Sequence, residues 1–355
     1  MNINIESKKI SLLLFVVAAC TFMFLSAWAA GHGPVADFPD FIPTADAVEG
    51  VAVDKVGNVY VSIREGELAM IWKYSPYGEM SFFADIGIGT ATGLAVDVRG
   101  NVYAALAEGL DRGVYRVDKN GNSVMLPGTE QIVYANSLAF DKQDNLYITE
   151  SYSTDSESGY GPGGIWRVPK GGEAELWLQD DLLTGIGAVL GFPVGANGIA
   201  YYHSDLYVVN TDKGLIVRIP ICLDGGPGQP EVWAALGEVP ESPLAGSAFP
   251  VMGDGLALDT FGNVYVAVVS RIAVARINAK DLSQETTAAY FFDPYDPLFA
   301  PLDTPASLAF GTGKGGRKSL FVTNLGWMSN LIPGPPWPGP GLVKIDTGAP
   351  GLPLP

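Results

Sequence analysis

Whatever chemistry this chain performs, it must do with little histidine or cysteine. Two His and two Cys among 355 residues exclude a His-rich zinc site, a Cys-ligated cluster and a disulfide framework. Oxygen ligands are plentiful instead. With 38 Asp+Glu against 21 Lys+Arg and a net charge of -17, the chain lacks the basic stripe that nucleic acid requires, and no such partner is expected. Four oxygen-bearing residues open copies of one recurring phrase: Glu49 in EGVAVD, Asn136 in NSLAFD, Asn197 in NGIAYY and Asp254 in DGLALD. Thr92 and Ala306 open the other two copies. Two carboxylates and two amide carbonyls, with water completing the shell, suit a hard divalent cation. Ca2+ fits first, with Zn2+, Mn2+ and Mg2+ as alternatives. Any one of the four could instead cap its own turn, but four at one register favour the cation.

The elements that position these residues follow from the repeat. The six opening residues are spaced 43, 44, 61, 57 and 52 apart, and self-similarity at such periods marks a repeat architecture. Each phrase reads as a short apolar strand, a tight turn of the Asp-x-x-Gly-Asn kind and a second strand of alternating Val/Tyr character. A third strand follows in every unit (MIWKYS, GVYRVD, GIWRVP, LIVRIP, AVARIN, LVKID), and a fourth in five of them (MSFFADI, SVMLPG, AELWLQD, EVWAAL, TAAYFFD). The pattern predicts an all-β fold, a six-bladed β-propeller of four-stranded blades. Pro34–Phe38 is expected to supply the missing strand of the last blade and close the ring, leaving no bare edge.

Strands in a blade alternate in direction, so the opening residues, the second-to-third loops and the links between blades share one face. Nearly all extra length lies there: Ser151–Gly163, Asp180–Ala196, Glu238–Gly253, Asp293–Pro305 and Gly326–Pro340. Long loops on one rim of a rigid scaffold are where binding sits. These carry apolar residues, among them Phe192, Phe249, Phe299, Trp327 and Trp337, which read as a ligand pocket or partner surface. The substrate-binding candidates are Thr92, Tyr134, Asn136, Phe192, Phe249 and Trp327.

The series EG, NS, NG, DG at the blade starts resembles the regucalcin/gluconolactonase (senescence marker protein, luciferin-regenerating-enzyme-like) family and its relative diisopropyl fluorophosphatase. The resemblance covers essentially residues 30–355. It implies that Glu49, Asn197 and Asp254 are metal ligands, and that Asn136 is a ligand or a substrate-contacting neighbour. It also implies metal-dependent hydrolysis of a lactone, or of an organophosphate in the phosphatase branch, with Asp254 as catalytic base or nucleophile. Sugar lactonases of that family resemble Arg-x-Asn at blade three, where this chain has Tyr134-Ala135-Asn136. The substrate implied is therefore a small-molecule lactone or ester more hydrophobic than gluconolactone. A non-catalytic binding propeller with a structural Ca2+ site is the alternative.

The N-terminus reads separately. Lys8 and Lys9 precede an apolar run, Ile10–Leu25, and then Ser26-Ala27-Trp28-Ala29-Ala30. This is the pattern of a secretory signal peptide over residues 1–29, leaving one domain over 30–355 with no transmembrane segment. A secreted or periplasmic monomer is expected. Lipid anchoring at Cys20 in Val17-Ala18-Ala19-Cys20 is the minor alternative. The turn residues Asp54, Asp97, Asp141 and Asp259 are assigned to turn chemistry and His203 to the far face.

Overall fold

The Asp-x-x-Gly-Asn turns behave as their chemistry requires. In the computed structural model, Asp54 Oδ1 accepts the N–H groups of Val56 and Asn58 at 3.0 and 2.9 Å, and its Oδ2 accepts Asn58 Nδ2 at 2.6 Å. Asp97, Asp141 and Asp259 repeat the arrangement in blades two, three and five. Such a turn needs a left-handed residue before the Asn, supplied at low cost by Gly57 (φ 95°), Gly100 (φ 84°) and Gly262 (φ 82°). In blade three Asp144 takes that conformation at φ 64°. The Tyr six residues after Asp54, Asp97 and Asp141 points its hydroxyl back at the same carboxylate, 3.3–3.4 Å away.

The structure describes residues 46–289 and 302–354, apart from 155–158, 188–189, 241, 243, 313–315 and 332–337, together with the backbone of a two-residue strand, Asp40–Phe41. Six four-stranded antiparallel sheets result. Blade one comprises Ala47–Val53, Val59–Glu65, Leu68–Tyr74 and Met80–Ile88. The inner strands of the others are Thr90–Val96, Ala135–Phe140, Ala196–Tyr202, Leu256–Leu258 and Pro305–Phe310. The last blade has three full strands, Pro305–Phe310, Ser319–Asn324 and Gly341–Asp346, and Asp40–Phe41 pairs with the outermost of them. The expected closing segment Pro34–Phe38 and the signal-peptide region lie outside the described residues. The fourth strand of blade five runs Gln284–Ala289, earlier than TAAYFFD predicted, most of which is also outside. Among the described residues no helix is long and apolar enough to cross a membrane.

The core lies in the seams between blades. Each pair of neighbouring blades has its own buried cluster, such as Ile71, Leu94 and Leu106 between blades one and two, or Tyr265, Leu308 and Val322 between five and six. Edge-on aromatic pairs recur there: Tyr60–Phe83, Tyr103–Phe140, Tyr147–Trp177, Tyr207–Trp233 and Tyr265–Phe310, with centroids 4.9–5.3 Å apart.

Candidate functional site

The ring residues sit where the sheet pattern breaks. In five inner strands the register slips between Val48 and Val51, Ala91 and Leu94, Ala135 and Leu138, Ala196 and Ile199, and Pro305 and Leu308. Each slip contains an opening residue and its successor. In blade five Asp254 and Gly255 lie just before the inner strand, held by Asp254 N–H on Ala267 O and Ala267 N–H on Gly255 O. A bulge re-aims a side chain out of strict alternation, and here it does so at the inner edge of five blades.

The residue after each opening position is small because the next blade passes against it. A Cβ on Gly50 would lie 2.1 Å from Thr92 O, on Gly198 2.5 Å from Asp254 O, and on Gly255 2.6 Å from Ala306 O. The blades are stitched at the same level. Gly50 N–H donates to Ser62 Oγ, which donates to Thr92 O; Ser137 N–H donates to Thr149 Oγ1, which donates to Asn197 O. Ser307 N–H donates to Thr323 Oγ1, which donates to Glu49 O. Where the second strand offers Val209 or Ala267 instead of a hydroxyl, the bulge N–H reaches the next blade directly: Gly198 to Asp254 O and Gly255 to Ala306 O.

This frame brings Glu49 of blade one and Asp254 of blade five within electrostatic reach of each other. Burial, then the charge of Asp254, pushes Glu49 up to about 8, partly opposed by Arg64. Burial pushes Asp254 up to about 7 against a hydrogen bond from Asn197. Tyr134 faces both carboxylates, and burial followed by Glu49 and Glu108 holds its hydroxyl well above the usual phenol range. Asn197 Nδ2 donates to Thr211 Oγ1, and Asn136 Nδ2 donates to Ser151 Oγ, both at 3.0 Å. Ser151 donates its own proton to Ala196 O, so it accepts from the amide and fixes which atom of Asn136 is nitrogen. The Oδ1 atoms are thereby turned away from those hydroxyls.

The donor chemistry fits a divalent cation. Two carboxylates that are costly to ionise together, joined by amide oxygens on two further blades, are what a hard ion relieves. Among the described residues no group of three or more His, Cys, Asp or Glu side chains is assembled, so the set amounts to two charges plus neutral oxygens. Thr92 differs from expectation. It is wholly buried, and its hydroxyl donates to Ala135 O at 2.9 Å; it stitches blades and presents no surface to a substrate.

On the rim the aromatic candidates converge. Tyr134 packs on Tyr152 at 4.8 Å, and Tyr152 meets Tyr160 at 5.1 Å and Phe192 at 6.1 Å edge-on. Tyr152 also donates to Glu108 Oε1. Trp327 opens a five-residue helix, Trp327–Leu331, and is 41% exposed. Phe249 offers its carbonyl to Arg271. Phe299 and Trp337 lie outside the described residues. His203 is exposed on the far face at φ 48°, against Tyr202. The free thiol of Cys222 is exposed.

Several rim residues carried no motif. Three of the long loops are each pinned by one buried charged side chain: Asp212 Oδ2 accepts the N–H groups of Ile186, Gly187 and Val194, and Asp303 accepts those of Met328, Ser329 and Gly339. Arg271, fully buried, clasps Glu238 through two nitrogens at 2.7 and 2.9 Å and holds Phe249 O and Ser247 Oγ. Glu150 accepts Val133 N–H and Trp166 Nε1–H, fixing the segment that carries Tyr134. The sequence signals for these were slight: an isolated charge within an apolar stretch for Arg271, in AVVSRIAVA, and a turn setting for Asp212, in Asn210-Thr211-Asp212.

The fold and ring together define a class: six-bladed propellers with a polar, acidic ring at one channel mouth. No family model and no curated protein matches the chain. Solved structures do match. A luciferin-regenerating enzyme is similar over 90% of this chain and 98% of its own, at 16% identity and a TM-score of 0.64. A calcium-binding protein, regucalcin, from Agrobacterium tumefaciens matches over 91% and 96% at 16% identity and a TM-score of 0.61. A gluconolactonase from Xanthomonas campestris matches over 85% and 87% at 16% identity and a TM-score of 0.58. The structural neighbours are thus luciferin-regenerating enzyme, gluconolactonase and regucalcin propellers, and at these identities the likeness is one of fold.

Proposed function

We propose that this protein is a divalent-cation-dependent hydrolase that opens a lactone or related ester more apolar than gluconolactone. The observation that carries the reading is the electrostatic coupling of buried Glu49 and Asp254 from blades one and five, with Asn197 hydrogen-bonded to Asp254. Glu49, Asn136, Asn197 and Asp254 would hold the ion, Ca2+ by preference, and a bound ion supplies Lewis-acid polarisation of a carbonyl. Tyr134 presents a hydroxyl that stays protonated beside the carboxylates and can donate to an oxygen gaining negative charge. Asp254 is the carboxylate placed to take a proton from attacking water. Tyr152 and Phe192 form an apolar wall beside Tyr134, suited to an alkyl or aryl ring and poorly suited to a polyhydroxylated one. The signal-peptide pattern of residues 1–29 supports a site of action outside the cytoplasm.

The test is turnover of a lactone panel, from gluconolactone through long-chain and aromatic lactones, with Ca2+ and after chelation. Activity is expected to vanish with chelator, to return with the ion, and to be highest on apolar rings. Glu49→Gln and Asp254→Asn should each abolish it while circular dichroism stays unchanged. Metal binding without turnover of any lactone, aryl ester or phosphotriester would overturn the hydrolase reading in favour of a binding propeller.

A further inference from the structure

The far half of the channel is chemically unlike the ring. Below the bulges, all six inner strands turn apolar side chains onto one cavity of about 680 Å3, with Val51, Leu94, Leu138, Ile199, Leu256 and Leu308 contributed one per blade. That volume lies within the roughly 300–1,000 Å3 usual for small-molecule sites. None of Glu49, Asn136, Asn197 and Asp254 lines it.

The cavity opens among the first-to-second-strand turns, where Lys142, His203, Thr260 and Thr312 form its mouth. A smaller space of about 310 Å3 adjoins it through Thr312 and the C-terminal segment Leu352–Leu354, and is lined by Lys55 and Arg317. Among the described residues no Asp or Glu lines either space. The nearby turn aspartates are occupied by their own backbone N–H and Asn partners. A chain of net charge -17 thus gathers lysines and an arginine around the entrance to this apolar cavity.

We propose that this cavity is a second binding site, for a slender alkyl carboxylate of the fatty-acid type. Its chain lies along the apolar channel and its carboxylate meets Lys142, or Lys55 and Arg317, at the mouth. Burying the chain supplies affinity, and the cationic mouth selects the head group. The site is separate from the ring and does not depend on hydrolysis there.

Isothermal titration calorimetry with dodecanoate tests the proposal on the full domain. One saturable site is expected, with affinity falling about fourfold for each methylene removed from the chain. Dodecanoate should bind more tightly than dodecanol, and dodecanol more tightly than dodecyltrimethylammonium. Lys142→Glu combined with Lys55→Glu should erase the preference for the carboxylate, and Thr260→Trp should obstruct the mouth and weaken all three ligands. Glu49→Gln should bind dodecanoate like the parent, which separates this site from the ring whatever becomes of the lactone panel. Absence of saturable binding, insensitivity to chain length, or equal affinity for the three head groups would each overturn it.

Discussion

At the scale of single residues, the consequential feature is that Glu49 and Asp254 are both difficult to ionise without a cation between them. Their titration has a definite sign. In the metal-free protein both carboxyls hold their protons at higher pH than in the unfolded chain, where ordinary carboxylate values apply. The folded state therefore binds more protons over the interval. The stability contributed by the pair is fully present below the unfolded values and is lost as pH rises through about 7 to 8. A divalent ion competes with those protons, so its affinity should climb over the same window. Melting of chelated protein across that range, with Ca2+ titrations in parallel, checks both statements. Glu49→Gln should flatten the chelated profile, and an unchanged slope in that variant would show that other groups govern it.

At the scale of elements, the bulge and its stitches explain why the phrase repeats as it does. The hydroxyls of Ser62, Thr149 and Thr323 each take a bulge N–H and pass a hydrogen bond to the next blade's opening carbonyl. Replacing Thr149 or Thr323 by Val keeps the shape and strands a buried N–H and a carbonyl. Each substitution should cost about 1–3 kcal/mol in denaturant unfolding. Ser62→Ala should do the same, whereas Val209 and Ala267, whose blades are joined backbone to backbone, should tolerate isosteric changes with far smaller loss. Equal sensitivity at all five positions would contradict the stitching scheme. Three of the rim loops follow a different rule, one buried charged anchor each, so Asp212, Asp303 and Arg271 act on loop position more than on blade integrity.

At the scale of the whole molecule, the ring residues come from blades that are separate in the chain. Glu49 belongs to blade one, Asn136 to three, Asn197 to four and Asp254 to five, and the seam clusters join each blade only to its neighbours. An ion held by all four would bridge blades that otherwise communicate only around the ring. Ca2+ should therefore raise Tm by mass action, by about 2.7 kcal/mol of added stability at a hundredfold excess over Kd, as one cooperative transition. Calorimetric scans at increasing Ca2+ check this. A transition that splits, with one part insensitive to the ion, would show that the ring does not couple the blades. The C-terminal segment adds a further tie on the far face: Thr260 N–H donates to Pro350 O, Gly351 pairs with Asp259, and a Cβ on Gly351 would strike the Phe310 side chain at 2.1 Å.

The sequence by itself determined the number of blades, the turn chemistry of Asp54, Asp97, Asp141 and Asp259, and the common register of Glu49, Asn136, Asn197 and Asp254. All of these depend on contacts a few residues apart or on a period repeated six times, and local chemistry is written locally. The tertiary structure alone decided what depends on neighbours distant in the chain. It turned Thr92 into a stitch because the Ala135 carbonyl of the following blade lies against its hydroxyl. It brought Tyr152 beside Tyr134 and made Arg271, Asp212 and Asp303 anchors of the rim, since a lone charge in an apolar loop acquires meaning only from the groups that fold around it. It also divided the channel into an acidic mouth and an apolar far half. Each layer takes one residue from every blade, so the contrast between layers exists only once the ring is assembled.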